Sequence, residues 1–232
     1  MTSRRGRSLV FTIVAALVVG LALPPGAMAG KPLTFPVCGK LQFPASGQTT
    51  AYHPDTTGVL GATVPDDGTV QAGATLNYRD NGDGTITDLN TGLTWEKKSD
   101  DGSIHDKDKT FAWSDVDDPT IWDFIASLNT EGGTGFAGHN DWRIPNVKEL
   151  QSIVDYETSG PAVGPAFDNG ACGGGLCTVL QCSCTGPSTY WSSSTLAGSP
   201  TSAWFVGFEF GTVFANVKSN TFFVRAVRGG CL

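Results

Sequence analysis

Histidine is scarce in this 232-residue sequence: only His53, His105 and His139 occur, beside two methionines. There is no G-x-S-x-G elbow, no H-E-x-x-H helix and no C-x-x-C-H run. Those absences remove the familiar signatures of a serine hydrolase, a zinc protease and a c-type haem protein. Basic residues are also short, 15 against 22 acidic. An acidic chain repels nucleic acid at long range, so no nucleic-acid partner is expected. Long apolar runs are missing except for one, Leu9 to Leu23.

That run has the setting of a leader. Arg4, Arg5 and Arg7 precede it, Pro24-Pro25 ends it, and Ala27-Met28-Ala29 supplies small residues for cleavage. Residues 1–29 are therefore predicted to be a secretory signal peptide. A spanning helix needs about 20 apolar residues and this run is shorter. The mature chain is expected to have no membrane span and to be exported, to the periplasm, the cell surface or the medium. Without the three leader arginines, 12 basic residues face 22 acidic ones, a net charge of −10.

The six cysteines are Cys38, Cys172, Cys177, Cys182, Cys184 and Cys231. An even number in an exported chain favours disulfides, although spacing does not fix their pairing. Cys38 with Cys231 is the favoured pair, because they lie near the two ends of the mature chain. The other four crowd into "CGGGLCTVLQCSC", where local bridges would staple a loop. A thiolate metal site is the rival reading, but such sites use spacings like C-x2-C. Here the gaps are four, four and one residues.

Residues 30–59 are rich in Gly, Pro and Thr and read as a loop-rich N-terminal arm. The domain proper is expected over 60–232. Within it, "ATLNYRDNGDGTITDLNTGLTWEK" alternates polar and apolar residues around Asx-Gly turns and predicts a three-stranded meander. "KSDDGSIHDKDKT" reads as a charged surface loop. Asp118-Pro119 is expected to open a helix with an apolar stripe of Ile121, Trp122, Ile125 and Leu128, ending near Asn129. A second helix should follow Pro145. Asn146 would cap it, Glu149 would close a capping box, and Leu150, Ile153 and Val154 would face inward to about Tyr156. Residues 160–186 read as a loop. "STYWSSST", "AWFVGFEF", "TVFANVK" and "FFVRAVRG" then read as strands. Strands, two helices and strands again indicate an α+β fold with an antiparallel sheet.

Three constellations invite chemistry. Asp80, Asp83 and Asp88 resemble part of a calcium loop, but anchoring carboxylates at its first and twelfth positions are lacking. Asx-Gly turns explain the same residues, so calcium is the only cofactor considered and none is expected. His139 and Asp141 resemble an acid–base pair. With no nucleophile to pair with, they are expected to hydrogen-bond backbone in a turn. Ser192, Ser193 and Ser194 beside Trp191 would suit a sugar, and a core tryptophan is the blander reading. Arg225 and Arg228 are expected on opposite faces of one strand, paired with carboxylates.

In order, "NGDGTITDLNTGLTWEK", "GFAGHNDWRIPNVKELQSIVDY", "YWSSST", "AWFVGFEFGTV" and "VRAVRGG" resemble the Lcl C-terminal domain family, known from the end of a bacterial collagen-like surface adhesin. "DWRIPNVKEL" also resembles the "RLPTEAEWE" run of formylglycine-generating-enzyme-like domains. The resemblance implies a C-type-lectin-like fold: two helices packed on antiparallel sheet, long loops and disulfide staples. It makes Trp142, Arg143, Pro145, Asn146, Glu149, Leu150, Trp191 and Arg225 the fold-defining residues. By the same resemblance the chain is expected to be a surface or secreted binding module without catalysis, its partner an extracellular glycan or protein. The alternatives are a redox or metal-dependent enzyme built on Cys172–Cys184, or a structural subunit of a surface assembly. Oligomeric state is left open. The adhesin binds sulfated polysaccharide, but this acidic chain has no Gly-X-Y stalk.

Overall fold

The computed structural model describes residues 43–51, 65–115, 118–173 and 176–230. The leader, most of the arm, Cys38 and Cys231 lie outside the described residues, and with them the favoured Cys38–Cys231 bridge. No helix among the described residues is long and apolar enough to cross a membrane.

The predicted meander forms: β1 (Tyr78–Asp80), β2 (Thr85–Asp88) and β3 (Leu93–Glu96) pair antiparallel in sequence. The late strand β9 (Val227–Gly229) adds to β3 and completes a four-stranded sheet. The other strands make a second sheet in the order β4-β8-β5-β6-β7, comprising β4 (Thr110–Ala112), β5 (Thr189–Thr195), β6 (Ser202–Gly207), β7 (Thr212–Val217) and β8 (Thr221–Phe223). Two sheets thus replace the single sheet expected, and β5 meets β8 parallel at Tyr190–Phe223. The division follows from "FFVRAVRG". Its first residues join one sheet and its last the other, with Val224, Arg225 and Ala226 crossing between them, all buried.

Successive residues on a strand point to opposite faces, and β5 uses both. Tyr190 packs with Trp95, Phe167 and Phe208 in one cluster, while Trp191 packs with Phe124, Trp142 and Phe205 in another. The centre of the five-stranded sheet is therefore covered on both sides. β6, between β5 and β7, accordingly reads as a nearly continuous apolar run, Ala203 to Val206. Trp191 is core, as the blander reading held; its Nε1 donates to the Phe111 carbonyl at 3.1 Å.

Helix α1 (Asp67–Val70) is a single turn capped by Asp66. Helix α2 (Ile121–Thr130) starts two residues later than Asp118-Pro119 predicts. Thr120 is its N-cap and Asp123 closes a capping box, a partnership that satisfies two orphan amides. Its buried stripe is Ile121, Phe124 and Leu128, whereas Trp122 is exposed. The later start does not itself move the face. Spacings of three and four select Phe124, and Trp122 sits one residue round the helix from Ile121. Helix α3 (Val147–Gln151) has the cap and capping box expected of Asn146 and Glu149. It is only five residues long and does not reach Tyr156. Ile153 and Val154 are still buried, but in the chain that leaves the helix.

The "DWRIP" motif ties these parts together. Asn129 brackets Trp142, accepting from its amide at 2.8 Å and donating to its carbonyl at 2.9 Å. Trp142 Nε1 donates to the Phe136 carbonyl. Arg143 and Val227 exchange two backbone bonds at 2.9 Å, and the Pro145 carbonyl accepts from the Ser193 amide at 2.8 Å. The turn before it needs glycine: Gly135 has φ +89, and a Cβ there would meet the His139 carbonyl oxygen at 1.9 Å.

Candidate functional site

The segment after β3 is not a surface loop. Lys97, Lys98, Ser99, His105 and Asp106 are all buried. β3 carries the chain into the interior at Trp95, and the charged residues beside it find partners there. Glu96 Oε1 accepts from Lys98 Nζ at 3.0 Å and from His105 Nδ1 at 2.8 Å, while Oε2 accepts from the Ala226 amide at 2.9 Å. His105 Nε2 lies 3.1 Å from Glu131. Burial works against the Glu96 carboxylate, but Lys98 and His105 outweigh it and hold its pKa below the usual range. Burial also pulls His105 down. The hydrogen bond and charge of Glu96, with Glu131, more than offset this and raise it above 6.5. The ring faces a carboxylate at each nitrogen, an arrangement that favours the protonated form and suits a strut better than a proton acceptor.

Arg225 stands beside this network and corrects another expectation. It lies between strands, not on one, and among the described residues no carboxylate forms an ion pair with it. NH1 donates to the Glu96 carbonyl at 2.8 Å, and NH2 donates to the Cys184 carbonyl at 2.6 Å and to Thr185 Oγ1 at 2.8 Å. Arg228 does follow the expected pattern and grips Asp141 at 2.7 Å. Its guanidinium lowers the Asp141 pKa. Asp141 thus serves the Arg228 side chain first and backbone, at its own amide, only second, whereas the His139 amide closes the turn onto the Phe136 carbonyl.

The calcium candidates are dispersed among turns. Asp80 accepts from the Gly82 amide and from Lys97 Nζ, and Asp83 accepts from the Thr85 amide. Asp88 sits at the far end of β2 and accepts from the Asn90 amide. The loop cysteines form two local bridges, Cys172–Cys184 and Cys177–Cys182.

A cleft of about 740 Å³ opens elsewhere, between α3, the β2–β3 turn, the end of β9 and residues 43–46. Phe43, Pro44, Leu93 and Val154 give it apolar surface; Asn90, Thr91, Lys148, Gln151, Ser152 and Tyr156 supply hydrogen-bonding groups. On its wall Arg143 and Glu149 form a two-pronged ion pair, both bonds 2.7 Å. Glu149 also accepts from the Asn146 amide, so the pair is pinned to the helix start. Gln151 Nε2 donates to the Tyr156 hydroxyl, which donates to the Gly211 carbonyl. Of the fold-defining residues, the structure brings Arg143 and Glu149 to this cleft. Trp142, Leu150, Trp191 and Arg225 go to the interior. Sequence reasoning missed Asn90, Thr91, Lys148, Gln151 and Tyr156. The "LNTG" turn and the polar face of the "NVKELQS" helix were the available signals, and only their sharing one concavity makes them a site.

No curated protein matches the chain. Residues 84–228, more than half of the sequence, match the family described as the Lcl C-terminal domain. That span runs from the β1–β2 turn to β9 and takes in the "DWRIP" motif, α3 and the buried Glu96 network. This chain belongs to the Lcl C-terminal domain family.

Proposed function

We propose that the chain is an exported recognition module that binds a glycan or a peptide in the cleft beside α3 and performs no chemistry on it. The observation that carries this reading is the composition of the cleft. An apolar floor rimmed by amides, hydroxyls and one lysine is how small-ligand sites combine affinity with orientation. Its acidic group, Glu149, is engaged by Arg143 and the Asn146 amide, which supports binding over acid–base work. Two disulfides suit an oxidising compartment, and a leader at residues 1–29 would take the chain there. A C-type-lectin-like scaffold is the fold reading that goes with this role.

The test is a glycan array and a peptide library probed with the folded mature chain, with calcium and with chelator. Binding is expected, weakened about tenfold by Gln151→Ala or Lys148→Ala, changes on an exposed helix face worth about 1.4 kcal/mol each. Folded protein that binds neither library overturns the reading. Phe210 and Phe214, 62% and 60% exposed at the β6–β7 turn and on edge strand β7, favour a second reading as an assembly subunit. A solution mass that rises with concentration, and falls with Phe214→Ser, would select it.

A further inference from the structure

Three of the four loop cysteines are closer to one another than two separate staples require. The sulfurs of Cys172, Cys177 and Cys184 all lie within 4.8 Å of one another, and Cys182 is bonded to one of them. Four thiolates around a zinc ion at about 2.3 Å stand about 3.8 Å apart. Three of the four sulfurs are thus already near that spacing, and Cys182, bonded to Cys177, is the one that must close in.

The frame holding these sulfurs does not depend on the S–S bonds alone. The Cys177 amide donates to the Asp100 carbonyl at 3.2 Å, and the Asp100 amide returns a bond to the Cys177 carbonyl at 2.9 Å. The Gly173 amide, next to Cys172, donates to Asp100 Oδ2 at 2.8 Å. The Cys184 amide donates to the Lys98 carbonyl, and its carbonyl accepts from buried Arg225. The Cys182 amide donates to the Thr178 carbonyl. Three of the four cysteines are held by their own backbone bonds, and Cys172 through the residue beside it. Arg225, bonded to the Cys184 carbonyl, brings positive charge to that end of the loop, which favours thiolate over thiol.

We propose that this loop is a redox-convertible zinc site, closed by two disulfides when oxidised and by one zinc ion when reduced. Two equivalents of a dithiol reductant supply four electrons and four protons. Both S–S bonds break to give four thiols, and the reductant leaves as two disulfides. Zinc then displaces the four thiol protons to solvent, and four Zn–S bonds form. Two equivalents of a small-molecule disulfide oxidant take the four electrons back: with four protons from solvent they leave as four thiols, both S–S bonds re-form and the zinc ion is released.

The test uses the full chain, reduced with a non-chelating phosphine, supplied with zinc and gel-filtered. Retention of one zinc per chain is expected, with Cys172, Cys177, Cys182 and Cys184 protected from alkylation until a chelator is added. Cobalt in place of zinc should give the intense visible spectrum of a tetrahedral thiolate site. Cys177→Ser/Cys182→Ser retains the other bridge for the oxidised fold, and after reduction it should lose the metal. Near-UV circular dichroism guards against trivial failure: zinc should restore the native signal to the reduced chain. No retained zinc, retention unchanged in the double variant, or zinc that binds without protecting these four cysteines overturns the proposal.

Discussion

Two neighbouring segments, residues 79–91 and 96–109, share a composition and have opposite fates. Both are rich in Asp and in small hydroxyl residues, Thr in the first and Ser in the second, and both carry glycine and at least one cation. In the first, Asp80, Asp83 and Asp88 accept from amides of their own turns. In the second, Glu96, Lys98 and His105 are buried and bind one another across the segment. Composition does not separate them; position does. The first segment lies at the two ends of a hairpin: water reaches exposed Asp80 and Asp83, and buried Asp88 is satisfied by the Asn90 and Thr91 amides and the Thr91 hydroxyl. The second leaves the sheet next to buried Trp95, so its charges must be paired inside.

The sharpest way to break that contrast is to remove the shared acceptor. Glu96→Ala leaves Lys98 and His105 without their carboxylate and the Ala226 amide without an acceptor. Removing one member of a buried ion group is expected to lower unfolding free energy by about 3–5 kcal/mol. Urea denaturation of the mature chain measures it. A loss as small as that of a surface charge would mean the network is not buried.

Next in size is the histidine itself. His105→Phe keeps a ring against Phe136, 4.2 Å away between centroids, and deletes both polar contacts. Loss of a bond to a charged group is expected to lower stability by about 1.5–3 kcal/mol. The effect must depend on pH. His105 has a folded pKa above its ordinary 6.5, so its contribution is complete below that value and fades as pH rises through the folded pKa. Glu96 lies below its ordinary 4.5, so its contribution is present above that value and fades as pH falls through the folded pKa. Lys98, Glu131 and Asp101 set the field around the ring. Urea midpoints across the range should therefore be highest between the two ordinary values. His105→Phe should flatten the alkaline decline and make the acid limb shallower, because His105 helps Lys98 to hold Glu96 down.

Local rules were legible where a few adjacent residues decide the outcome. The meander followed from Asx-Gly turns, and the start of α3 from Asn146 and Glu149, because each needs no more than four residues in a row. The start of α2 was misplaced because Thr120 outcompetes Asp118 only once Asp123 answers it. The division into two sheets was hidden in "FFVRAVRG", since nothing in that run marks where the chain changes partner. Arg225 was unreadable for the same reason: its acceptors are carbonyls of Glu96 and Cys184, far away in sequence. The cleft was invisible as a unit, because its hydrogen-bonding groups come from separate turns and one short helix.

The smallest effect bears on the acidic turn. Asp83→Ala removes acceptance from the Thr85 amide and hydroxyl at 3.0 and 2.6 Å, between an exposed carboxylate and a buried threonine. About 1 kcal/mol is expected, the net worth of an ordinary hydrogen bond. Calcium should change nothing, in wild type or variant. The ion needs six to eight oxygens within one small shell. Asp83 and Asp88 are separated along β2 by a distance on the order of 10 Å, since a strand rises about 3.3 Å per residue. Asp80 would also have to surrender Lys97, bonded at 2.7 Å. The second segment offers a tighter group, Asp100, Asp106 and Asp108, but Lys107 already lies 3.5 Å from Asp100 and 2.7 Å from Asp108. Melting curves with millimolar calcium and with chelator should superimpose. A rise with calcium that Asp83→Ala abolishes would make the hairpin turn a ligand site and reverse the assignment of the two segments.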